Sequence, residues 1–333
     1  MAYPSWVDKL PSSHKPMPIL SFPSSSLLGV SVYKLTHDAA IQSEGIIRVA
    51  KETNSAAAVT MMDLSVEAEA FGCTLRTVEN EIPTVVGALV TDEDEANELE
   101  MPHVGDARTG LYIEAAKAAK DVIKDRPVLA GEIGPFSLAG RLMDVSEALA
   151  NCICDPDFVH AVLRKTTAFL IEYAKAYKAA GLDGIVMAEP LSGLLAPAME
   201  EEFAAPYVRE MIESVQDENF AVIYHNCGPN TPLMTKSLAS NGASAYHFGD
   251  AIQLTDLLDN MPSDRTVMGN ISPAGQFLGG TPESMTIAVN ELLEKCSSYP
   301  NFLISSGCDI PPASSWDNIR AFFKASEEYY RTH

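Results

Sequence analysis

Eight short β-rich runs, recurring along the chain with helical patterns between most of them, limit what these 333 residues can fold into more than any other feature. The runs are MPILSF (17–22), AAAVTMMD (56–63), PVLAGEI (127–133), DGIVMAE (183–189), FAVIYHNC (220–227), ASAYHFG (243–249), RTVMGNI (265–271) and NFLISSGC (301–308). Helical periodicity covers 38–53, 110–124, a pair spanning 145–180, then 200–217, 231–240, 251–259, 282–296 and 316–330. Start signals agree: Thr281 stands as an N-cap with Pro282 at the first helical position, and Ser314 or Ser315 precedes the closing helix. Near-continuous apolar strands alternating with helices predict a parallel sheet covered on both sides. Eight such units predict a closed (β/α)8 TIM barrel, with residues 1–333 forming a single domain. An open doubly wound sheet is the alternative, but no strand–turn–helix carries G-x-G-x-x-G and there is no P-loop. The stretch 64–110 is too long for a plain strand-to-helix connection. It reads as an inserted hairpin followed by the acidic run TDEDEANELE, a solvated loop or helix start.

Charge narrows the partners. With 45 acidic against 23 basic residues, the formal net charge of -22 repels nucleic acid and anionic lipid, so neither a nucleic acid nor a membrane is expected as a partner. The first residues show no basic segment followed by an apolar core, and no run approaches the ~20 apolar residues of a membrane helix. A soluble, cytoplasmic protein is the expectation. Six cysteines, at 73, 152, 154, 227, 296 and 308, are too sparse for a disulfide framework and are expected to be reduced.

In such barrels the chemistry gathers at the C-terminal ends of the strands. Those ends carry Asp63, Glu132, Glu189, His225 with Cys227, His247 with Asp250, Asn270, and Cys308 with Asp309. Residues i and i+2 of an extended chain project to one face, so His225 and Cys227 converge. H-x-C alone is a common spacing; Cys308, closing the eighth strand at the same mouth, turns it into a metal-site candidate. An imidazole and two thiolates suit tetrahedral zinc with a fourth position left for solvent or substrate. Tight C-x-x-C pairs, usual in structural zinc sites, are absent, which favours an open catalytic site. Cys152 and Cys154 lie in a helical stretch where i and i+2 diverge. Cys73 falls in the insertion and Cys296 at a helix end.

The segments YHNCG, GNISP, SSGCDIPP, GPFSLAGRLM and AEPLSG, in their intervals over about residues 17–330, resemble the uroporphyrinogen decarboxylase superfamily. Within it they are most similar to the cobalamin-dependent methyltransferases of the methylcobamide:coenzyme M type. That resemblance implies a (β/α)8 barrel, zinc held by His225, Cys227 and Cys308, and methyl transfer between a corrinoid and a small molecule. The small molecule is an acceptor thiol such as coenzyme M, or a methylated donor such as a methoxy or methylamine compound. No D-x-H-x-x-G cobalt-ligand motif occurs, so the corrinoid is expected on a separate partner protein. The decarboxylase branch needs no metal and grips a polycarboxylate with arginines after the first strand. Here that segment, SFPSSSLLGVSVYKLTHD, holds none.

Glu189 is the candidate catalytic carboxylate: a fourth, displaceable metal ligand, a partner to a ligand, or a general acid. Asp63, Glu132, His247 and Asn270 are candidates for substrate binding, with loop anchoring the structural alternative for Asp63, Glu132 and Asn270. His247 has a corrinoid-facing role or a structural one as alternatives. A metal-free lyase of the same superfamily, or a barrel that binds a ligand or regulates a corrinoid protein, are the competing functions.

Overall fold

A computed structural model describes residues 1–332. Its strands, in chain order, are β1 (Ala58–Val59), β2 (Leu75–Arg76), β3 (Thr84–Val85), β4 (Val128–Ile133), β5 (Gly184–Ala188), β6 (Ala221–Asn226), β7 (Ala245–Phe248), β8 (Thr266–Ile271) and β9 (Phe302–Ser306). Seven of them form one curled parallel sheet in the order β1-β4-β5-β6-β7-β8-β9. The other two, β2 and β3, pair antiparallel as the hairpin of the insertion.

The expected first strand, 17–22, takes no regular strand conformation, and its prolines explain why. Pro16 and Pro18 have no N–H to donate to a ladder. The segment nevertheless fills the seam of the barrel: Met17 N–H donates to Ile304 O of β9 (3.1 Å), and Ala56 N–H, just ahead of β1, donates to Pro16 O (2.8 Å). Ile19 N–H turns to the Ser306 hydroxyl (3.0 Å). Met17 and Ile19 then join the inner core with Val59, Leu129, Val186, Ala221, Ile223, Ala245, Met268 and Leu303. Alternate residues of the same strands, such as Ala130, Met187, Val222, Tyr224, Tyr246 and Val267, pack outward against the helices. This period-2 division decides which strand-end groups reach the barrel axis.

The helical layer holds the expected pair over 145–180, Val145–Cys154 and Pro156–Ala179, divided at Asp155, which caps the second by accepting from Phe158 N–H at 3.2 Å. Elsewhere it differs from expectation. Region 251–259 holds only the short helix Leu254–Leu258. A helix at Pro135–Met143, absent from the periodicity reading, follows directly on β4 and is buried along almost its whole length. The Thr281 cap is a full capping box with Ser284. The acidic run starts a helix, Glu93–Glu98, with Asp92 accepting from Glu95 N–H.

Candidate metal centre

On β6 the inward positions are Ala221, Ile223 and His225; on β7 they are Ala245 and His247; on β9, Leu303 and Ser305. The last member of each set is polar and buried, and the three side chains form a chain of hydrogen bonds. His225 Nδ1 lies 2.8 Å from His247 Nδ1 and 3.2 Å from His247 O. His247 Nε2 lies 2.7 Å from Ser305 Oγ, whose hydroxyl donates to Met17 O at 2.7 Å.

The direction of that chain fixes the proton positions. Met17 O can only accept, so Ser305 donates to it and must accept from His247 Nε2–H. His247 Nδ1 is then a bare acceptor and takes the Nδ1–H of His225. What remains on His225 is the lone pair of Nε2. Burial, together with the neighbouring His225, holds His247 well below its ordinary pKa and keeps it neutral, as this sequence of bonds requires. The irregular first segment thus contributes directly to the site, through the Met17 carbonyl.

His225 Nε2 points at Cys308 Sγ, 3.4 Å away, and the ligand atoms of His225, Cys227 and Cys308 all lie within 4.8 Å of one another. Tetrahedral zinc with bonds of 2.0–2.3 Å sets its ligands about 3.3–3.8 Å apart, so the donor set and the 3.4 Å between His225 Nε2 and Cys308 Sγ fit that ion. A hydrogen bond from the other sulfur lowers the Cys227 thiol, while Cys308 is pushed up to about 12 by that same bond and by burial. Glycine allows the approach of Cys227: any side chain at Gly249 would collide with its Cα. Gly193 and Gly228 likewise press backbone to backbone, binding the loop after Cys227 to the loop after β5.

The remaining expected site residues lie elsewhere. Glu189 follows Met187 on the outward face; its carboxylate caps the helix Pro135–Met143, accepting from Phe136 N–H (2.9 Å), Ser137 N–H (2.6 Å) and the Ser137 hydroxyl. Burial pushes it up to about 7. Its position is a consequence of the pleat: β5 and β6 pair Ala188 with His225, so the neighbour of Ala188 turns away from the ligands. Glu132 also faces outward, in phase with Ala130, and meets Glu67 rather than the mouth. Burial raises both carboxyls, Glu67 to about 8, and each raises or is raised by a neighbouring carboxylate. Neither Glu132 oxygen has a hydrogen-bond partner among the described residues.

Asp63 is engaged by Arg108 (2.6 Å), the Tyr112 hydroxyl (2.8 Å) and the Ser65 hydroxyl (2.6 Å), tying the end of the second β-rich run to the far end of the insertion. Asn270 is inward on β8, but its amide donates to Gly249 O and Ile252 O and so anchors the loop beside Cys227. Of the four residues assigned to substrate binding, His247 alone touches a ligand candidate, through His225. Ser305, Glu67, Arg108 and Arg141 were not singled out in the sequence. Ser305 alone had a detectable signal, its in-phase position two residues inside Gly307 at a strand end.

Above the three ligand atoms lies a cavity of about 330 Å³. Its walls include Met62, the hairpin residues Ile82–Val85, Arg141, Pro190, Asp309 and Pro311. A second lobe of about 280 Å³ shares Leu64, Arg141, Pro190 and Cys227 with it and runs toward Val145, Leu194 and Pro229. The inserted hairpin is therefore the roof over the mouth.

Known proteins resemble this chain in fold and in sequence. The solved structure of a methyltransferase from Methanosarcina mazei superposes over 99% of this chain and 100% of its own, with a TM-score of 0.85 at 22% identity. A methylcobamide:CoM methyltransferase MtbA of Methanosarcina acetivorans is 27% identical over 274 residues, 80% of this chain and 78% of that protein. A uroporphyrinogen decarboxylase of Christiangramia forsetii is 26% identical over 227 residues, 66% of this chain and 65% of that protein. The family model for uroporphyrinogen decarboxylase (URO-D) matches residues 19–329, from the seam segment to the last helix, so the chain belongs to the uroporphyrinogen decarboxylase family.

Proposed function

We propose that this protein is a zinc-dependent methyltransferase that moves a methyl group between a corrinoid, carried on a separate protein, and a small thiol acceptor or methylated donor. The observation that carries the reading is the meeting of His225 Nε2 and the two sulfurs on the floor of a cavity that opens at the barrel mouth. His225, Cys227 and Cys308 would hold the metal. When bound there, zinc supplies Lewis acidity, stabilising a thiolate at neutral pH or polarising the heteroatom that bears the methyl.

The protein's own residues do the rest. The His247–Ser305–Met17 chain presents the unprotonated nitrogen of His225 and stops the ring from turning. Met62, Pro83 and Pro311 line the cavity with apolar surface that keeps bulk water off the reacting sulfur or nitrogen. The relatives named methylcobamide:CoM methyltransferase support this direction over the metal-free lyase. So does the arginine-free segment after the seam, which offers no grip for a polycarboxylate.

The test is demethylation of methylcobalamin by purified, zinc-loaded protein with a panel of thiols, and the reverse reaction from methoxy and methylamine compounds to cob(I)alamin. Turnover with one class that disappears in Cys308→Ser supports the reading. Stoichiometric zinc with no turnover in either direction contradicts it and favours a binding or regulatory role.

A further inference from the structure

The cavity above the ligand atoms contains a cation that no hydrogen bond or ion pair engages among the described residues. Arg141 projects from the helix Pro135–Met143 and lines both lobes. It is half-buried, and among the described residues its guanidinium takes part in no hydrogen bond or ion pair. Arg108 shows what a satisfied arginine in this neighbourhood looks like: it contacts Asp63, Glu69 and Ser65. Asp63 is the charge that acts on Arg141 from a distance, and its oxygens are already taken by Arg108, Tyr112 and Ser65. Asp309, on the same cavity wall, makes no ion pair with Arg141.

A guanidinium stays charged at any physiological pH, so partial burial without a partner is a cost that folding alone does not offset. Its planar fork of donors matches the paired oxygens of a carboxylate or sulfonate. The global field makes the placement more pointed. At a net charge of -22 the chain repels small anions, and one enters this mouth only where a local cation outweighs that field.

We propose that Arg141 reads the anionic head of the small substrate, a carboxylate or sulfonate, whose other end reaches the ligand atoms at Cys227. This rests on the methyl-transfer reading for the identity of the reacting end, while the head group is inferred from Arg141 alone. Arg141 is thus a specificity-determining residue: it selects short organic acids over neutral molecules of the same size.

Calorimetric titration of the as-purified protein with 3-mercaptopropionate, 2-mercaptoethanesulfonate and neutral 2-mercaptoethanol tests this. One charge-assisted, bidentate contact predicts that at least one anionic thiol binds about 30-fold more tightly than 2-mercaptoethanol. The preferred of the two identifies the head as carboxylate or sulfonate. In Arg141→Gln the preference falls to within about 3-fold, 2-mercaptoethanol binds as before, and Arg141→Lys retains part of the preference. Equal affinities in the unaltered protein, or a preference that survives Arg141→Gln, overturns the proposal. A neutral-thiol affinity and thermal midpoint unchanged by the substitution show that the variant is folded. Failure of methyl transfer with every substrate class sinks the methyl-transfer reading and leaves this comparison standing, so the two failures are told apart.

Discussion

Replacing Ser305 with alanine removes the acceptor that orients the whole hydrogen-bond chain behind His225, without touching any ligand atom. His247 Nε2–H would then lose its buried hydroxyl acceptor, at a cost of about 1–3 kcal/mol. The ring can escape by moving its proton to Nδ1. That places two N–H groups face to face across the 2.8 Å separating His225 Nδ1 and His247 Nδ1. His225 relieves the clash by carrying its own proton on Nε2, the atom that faces Cys308. Either way the penalty falls on metal binding, because a ligand must offer that nitrogen bare. The expected loss is about 10–100-fold in zinc affinity, or about 1.4–2.8 kcal/mol. Competition against a chromophoric chelator reads it directly. His247→Asn, which keeps an acceptor oxygen near the position of Nδ1, should lose less than His247→Leu, which keeps none. A folded Ser305→Ala protein with unaltered zinc affinity would show that the deduced proton order is wrong.

Other outcomes follow from the same geometry. Arg108→Met leaves the Asp63 carboxylate buried with two hydroxyls and one backbone N–H but no cation, so it should cost about 3–5 kcal/mol in a denaturant titration. Glu189→Gln should lower the thermal midpoint, since two backbone N–H donors lose a charged acceptor, yet leave zinc content unchanged; loss of zinc would return Glu189 to the centre. Glu67, raised from 4.5 to about 8, holds its proton more tightly folded than unfolded. Its contribution to stability is therefore fully present below pH 4.5 and lost as pH rises through about 8. Glu67→Gln should flatten that decline and gain on the order of a few kcal/mol at pH 8, as read by unfolding midpoints across pH.

How much of this was legible in the sequence depends on the kind of signal each residue left. Seven of the eight β-rich runs became sheet strands because apolar continuity survives in any parallel barrel. The remaining run, 17–22, is expected as a strand but fills the seam without regular strand conformation, because Pro16 and Pro18 lack the ladder donors. The three ligand candidates converge because alternation and strand-end position are both readable from spacing. The same alternation, carried through each strand, separates His225 and His247, which face the axis, from Glu132 and Glu189, which do not. Treating every strand-end carboxylate as mouth-facing ignored that parity. Ser305 and Arg141 were missed for a different reason: their importance lies in what they face or fail to face across the barrel, and no local pattern encodes that.

The central claim, one metal held by a nitrogen and two sulfurs, is tested most directly by zinc analysis joined to X-ray absorption at the zinc edge. The account predicts about one zinc per chain with two Zn–S distances near 2.3 Å and at least one Zn–N distance near 2.0 Å, and loss of one sulfur in Cys308→Ser. Less than about half an equivalent of zinc, or a first shell with no sulfur, would contradict it.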